Sequence, residues 1–137
     1  MARREARERA LSLLYEAESK DVTPAEVLRE LPVPPDPFVA DLVGGVGDRL
    51  AQIDGLISRH AIGWALERMP AIDRAVLRLA TYELLARPDV PTAVALSEAV
   101  ELAGSYSTDE SGRFVNGVLS AIAAEVRNSA QDGGQGD

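Results

Sequence analysis

From Arg3 to Val126 the apolar residues of this chain return at spacings of three and four, and no segment alternates with a period of two. That pattern predicts an all-α protein, a bundle of six to seven helices. In residues 3–18, Ala6, Ala10, Leu13, Leu14 and Ala17 make one apolar stripe. Arg4, Glu8, Leu11 and Tyr15 lie on a neighbouring, half-apolar face that could take a partner. Thr23-Pro24-Ala25-Glu26 is a capping box with proline at the first helical position, and it opens a short helix to about Leu31. Pro32, Pro34 and Pro35 follow as a stiff link. Asp36-Pro37 then starts a helix expected to reach His60, with Phe38, Leu42, Val46, Leu50, Ile53 and Ile57 inward. Gly44, Gly45 and Gly47 sit inside it, each costing about 1 kcal/mol against alanine. Either another backbone approaches closely there, or the helix bends at Gly44-Gly45.

Trp64 to Met69 reads as a short helical piece. Strong helices are expected from Ile72 to Ala86, over 93–104, and from about Glu110 to Arg127. Residues 1–130 read as one helical domain, and 131–137, QDGGQGD, as a disordered tail.

At 137 residues and 46% hydrophobic, the chain can bury a sizeable core. It contains no cysteine, which removes disulfides, thiolate metal sites and cysteine nucleophiles. His60 is the only histidine, so no histidine pair can share a metal, and a structural role is expected for it. No phosphate-cradling glycine loop follows a strand pattern. The carboxylates are spread along helix faces. Neither a catalytic constellation, a metal site nor a cofactor site emerges. No apolar run approaches the roughly 18 residues of a membrane span, and the N-terminus lacks a signal-peptide pattern, so a cytoplasmic location is expected.

The net charge is −8, yet four arginines, Arg3, Arg4, Arg7 and Arg9, fall within the first nine residues. Cations at a helix N-terminus oppose the macrodipole, so their placement there is not what helix stability favours. An acidic body repels nucleic acid at long range, and a site for it must be local or shared with a basic partner. The bland alternative is composition, since thirteen of the fourteen basic residues are arginine. A second stretch, RFVNGVL at 113–119, contains Asn-Gly, which often marks a hairpin. Its flanks are helical in period, so Asn116 and Gly117 are expected inside a helix. Gly117 would permit tight packing and Asn116 would bond to a neighbouring turn. Arg113 beside Phe114 offers a cation and a ring, which could meet a phosphate and a base.

Four segments together resemble the NusB family of bacterial transcription antitermination factors. They are the arginine-rich start followed by ALSLLYE, then ERMPAIDRAVLRLATYELL, DVPTAVALSEAVELAGSYS and SGRFVNGVLSAI. The resemblance spans roughly residues 3–127. It implies two packed helical subdomains and a non-enzymatic protein. It implies binding to the boxA element of ribosomal RNA operon leader RNA, together with NusE, a small-subunit ribosomal protein, within an antitermination complex on RNA polymerase. Arg3, Arg4 and Arg7 match the family's arginine-rich RNA-binding motif. Glu110, Ser111, Arg113 and Phe114 match its second RNA-facing region, and Tyr15 and Glu83 match positions facing NusE. Glu5 interrupts the arginine run where some relatives carry another arginine. Two other readings stay open. One is a protein–protein adaptor or homodimer in which the arginines pair with acidic groups. The other is a fragment of a ribosomal RNA cytosine methyltransferase, whose catalytic cysteine and glycine-rich loop this chain lacks.

Overall fold

The computed structural model describes residues 1–128. Its elements are α1 (Arg3–Lys20), α2 (Pro24–Arg29), α3 (Pro37–Asp48), α4 (Leu50–His60), a 3-10 turn (Leu66–Arg68), α5 (Ala71–Ala86), α6 (Thr92–Tyr106) and α7 (Asp109–Ala123), closed by a π-helical turn (Ala124–Asn128). No strand occurs among the described residues. The proposed tail at 131–137 lies outside them.

The stripe expected in α1 is buried throughout, and Leu11 is buried with it. Its neighbouring face is therefore narrower than the sequence suggested, and Tyr15 stands on it without Leu11. Helix α1 stops at Asp21, whose φ of 55° is left-handed. The Val22 N–H reaches the Ala17 carbonyl at 2.9 Å and the Asp21 N–H reaches Glu18 at 3.1 Å, which closes the helix end. Thr23 caps α2 by accepting from the Glu26 N–H at 3.1 Å, and Asp36 caps α3 by accepting from the Phe38 N–H at 2.9 Å.

The single helix expected over 37–60 is two. The break falls at Arg49 (φ −114°, ψ 20°), not at the glycines, which remain helical in α3. Gly45 is required by a side chain and not by a backbone: a Cβ there would run into the Tyr82 ring. Tyr82 is fixed in that position because its hydroxyl donates to Asp41 at 2.6 Å. Burial first, then that bond, push the phenol up to about 12.

Helix α5 is the axis of the molecule. It packs on α1, α3, α4, α6 and α7, and α6 and α7 pair most extensively. The core runs around it, from Leu13, Leu42 and Ile53 to Leu77, Leu79, Leu119 and Ile122. Asn116 and Gly117 are helical, as expected, but both are exposed, and a Cβ at Gly117 would meet nothing. The close helix contact lies one turn earlier, where a Cβ at Gly112 would stand 3.4 Å from Val100. Among the described residues no helix is long and apolar enough to cross a membrane.

Candidate RNA-binding surface

Of the four arginines at the start of α1, Arg9 is exposed and makes no ion pair among the described residues, and the other three are each held differently. Arg7 is buried. Its Nε and Nη2 grip Glu83 as a fork, at 2.9 Å to Oε2 and 2.7 Å to Oε1, and its Nη1 lies 3.6 Å from Glu98. The two side chains are 4% and 2% exposed. Glu83 therefore faces Arg7 in the interior and not a partner at the surface. Expelling two charges from water is tolerable there because the bonding is bidentate.

Arg3 and Arg4 are exposed. Arg3 donates to Asp89 at 2.9 Å, and Asp89 also accepts from Arg87. These two guanidiniums, Arg3's first, hold the Asp89 carboxyl below its ordinary range. Arg4 lies 3.0 Å from Glu98 and 2.6 Å from Glu101 on α6. The bond to Glu98, then the charge of Glu101, hold the Arg4 guanidinium above its ordinary pKa. Phe38, expected in the core, is half-buried and gathers three guanidiniums: Arg3 at 4.6 Å, Arg87 at 4.9 Å and Arg7 at 5.5 Å from its ring centre. Such contacts align cations over an aromatic face. Sequence periodicity places Phe38 inward and does not show this role.

The second group collects at the start of α7. Thr108 caps the helix by accepting from the Ser111 N–H at 3.0 Å. Ser111 is itself buried, and its hydroxyl donates to Asp73 at 2.9 Å. It ties α7 to the first turn of α5 and is not presented to solvent. Glu110 and Arg113 are exposed, and Phe114 is half-buried with its ring centre 5.8 Å from that of Trp64. Ten residues of α5 separate Asp73 from Glu83, about 15 Å along the axis. The structure thus brings Arg3, Arg4 and Arg7 together at one end of α5 and Glu110, Ser111, Arg113 and Phe114 at the other. Tyr15 stands two turns along α1 from Arg7, 44% exposed.

The buried pair had a readable signal. Arg7 continues the Leu11 and Leu14 spacing in α1, and Glu83 continues Val76, Leu79 and Ala80 in α5. Opposite charges inside two apolar stripes point to one another. His60 is held by Glu125 at 2.9 Å, beside Arg59. Among the described residues no group of three histidines or carboxylates could hold a metal.

Comparison with known proteins gives one answer. The model of the NusB family matches residues 4–124. The transcription antitermination protein NusB of Kineococcus radiotolerans is 48% identical over 126 residues, which cover 89% of this chain and 93% of that one. The solved structure of T. maritima NusB superposes with a TM-score of 0.82 at 39% identity, covering 91% of this chain and 92% of the other. A structure of the antitermination factors NusB and NusE in complex with double-stranded RNA aligns with a TM-score of 0.73 at 28% identity, covering 90% and 96%.

Proposed function

This chain belongs to the NusB family, and on that premise we propose that it is a non-catalytic, RNA-binding transcription antitermination factor. It binds the boxA element of ribosomal RNA leader transcripts together with NusE and joins an antitermination complex on RNA polymerase. The observation that carries this reading is the exposed Arg3–Arg4 pair on an otherwise acidic molecule. Arg3 and Arg4 hold phosphates. Phe114 and Arg113 meet bases and backbone at the other end of α5, flanked by Glu110. Arg7 and Ser111 act from behind, one fixing α1 through Glu83 and the other fixing α7 through Asp73. Tyr15 docks NusE, and Glu83 supports that face through Arg7. A basic ribosomal partner supplies the positive charge that the acidic body lacks.

Fluorescence anisotropy of a labelled boxA RNA against a scrambled control tests this, with and without NusE and at two salt concentrations. The expected result is a preference for boxA that NusE strengthens. Arg3→Ala/Arg4→Ala should weaken it and make the log–log salt slope shallower by about 0.7 for each phosphate no longer neutralised. One observation favours a second reading: Arg3 and Arg4 already have carboxylate partners within the chain. In that reading they serve the fold and the protein docks proteins only. Retained NusE binding with no boxA preference at either salt would select it.

A further inference from the structure

We propose that Trp64 and Phe114 form a two-ring seat for one unpaired nucleobase, which makes Trp64 a base-stacking residue of the RNA surface. The inference rests on the RNA-binding reading above and adds a residue to it. Trp64 is the only tryptophan in the chain. It lies in the link between α4 and α5, where Gly63 turns the backbone at φ 83°. The Trp64 N–H donates to the Ala61 carbonyl at 3.0 Å, so the residue is fixed although it projects. A tryptophan buries more apolar area than most side chains when it can, yet this one is 53% exposed.

Its ring meets Phe114 with the planes 60° apart. Tilted rings do not cover each other's faces, so indole surface stays open beside the phenyl edge. A third flat ring can stack on that exposed indole face. The charges nearby in the chain identify what kind of ring. Arg113 adjoins Phe114 and Arg68 follows Trp64 by four residues. Both are exposed, and neither makes an ion pair among the described residues. An open indole face whose adjoining segments carry two unpaired guanidiniums, Arg68 and Arg113, next to the exposed carboxylates Glu67 and Glu110, matches a nucleotide that stacks its π face and turns its phosphate to the arginines. Bases inside a duplex are not available to it, so the occupant is a splayed base of a single strand.

Because there is one tryptophan, intrinsic fluorescence reads this corner alone. The full chain is titrated with the single-stranded boxA oligonucleotide, following Trp64 emission and RNA anisotropy in parallel. Emission should quench saturably with the same midpoint as the anisotropy. Trp64→Ala should weaken binding about tenfold with an unchanged salt slope and an unchanged circular dichroism spectrum. Trp64→Phe, which keeps a ring, should recover most of the affinity. RNA binding with constant Trp64 emission and wild-type affinity in Trp64→Ala would overturn the stacking role and leave the RNA-binding function intact. Emission that responds to NusE alone and not to RNA would assign the corner to a protein and overturn it equally. Absence of RNA binding in both readouts would overturn the functional reading itself.

Discussion

Arginine does opposite things at the two ends of α5. At the α1 end, Arg3, Arg4 and Arg7 each meet a carboxylate of the same chain, and Arg7 is sealed from water with Glu83. At the α7 end, Arg113 and the nearby Arg68 are exposed and make no ion pair among the described residues. Arginine count therefore does not measure availability. Three of the four arginines in the dense cluster are already answered, and an anion arriving at Arg3 or Arg4 must displace Asp89, Glu98 or Glu101, while Arg9 alone there is exposed and makes no ion pair among the described residues. The sparse end offers fewer cations, but nothing has to leave first.

The largest effect that would break this contrast lies in the buried pair. Arg7→Ala leaves Glu83 charged and unpartnered in the interior, and chemical denaturation should show a drop in stability of about 3–5 kcal/mol. Arg113→Ala should change stability by less than about 0.5 kcal/mol. Equal drops would erase the distinction between the two ends.

A smaller effect separates structural from surface pairing by pH. The Glu18 carboxyl is held below its ordinary range, first by the hydrogen bond from Arg74 and further by the charges of Arg74 and Arg78. A lowered folded-state pKa contributes stability that is fully present above the unfolded value, about 4.3, and is lost as pH falls through the folded one. Glu18→Gln should cost about 1 kcal/mol at pH 7, since the pair is partly solvated. It should also flatten the decline in stability between about pH 5 and 3, measured by denaturant melts across that range. A parallel decline in wild type and variant would move the acid sensitivity elsewhere.

The smallest effect sharpens the contrast directly. Glu98→Gln/Glu101→Gln releases Arg4 from its two carboxylates. RNA affinity should rise about two- to threefold at low salt, and the gain should shrink at high salt as screening shortens the reach of these charges. An affinity that falls, or that rises equally at both salts, would mean that Arg4 is not competed for.

Local elements are legible in the sequence because helix periodicity is local. The α1 stripe, the Thr23 and Asp36 caps, α5 and the helical setting of Asn116-Gly117 all follow from residues within a few turns of one another. The α3–α4 break is not legible. The glycines that suggest a bend stay helical, and Gly45 is there for Tyr82, which lies 37 positions away in the chain. At the candidate site, the sequence shows where the charges and rings fall along the chain but not their state. Whether Arg7 reaches solvent depends on Glu83, 76 residues later, and whether Ser111 does depends on Asp73. Trp64 carries no local signal for the same reason: only tertiary packing puts its ring against Phe114.

One arginine acts at the Glu83 end of α5 without meeting a carboxylate. Arg127, in the closing turn, donates to the carbonyls of Glu83, Leu84, Arg87 and Val90 and to the Thr92 hydroxyl. All five of its N–H groups are thereby engaged. It makes no ion pair among the described residues, and its charge is answered by the C-terminal dipole of α5. The loop it fastens is the one that carries Asp89 to Arg3. During synthesis that loop is made about forty residues before its fastening, so the arginine-rich end waits on nearly the last part of the domain to emerge from the ribosome. An end assembled in that order stays unfastened in a nascent chain that has not yet reached Arg127.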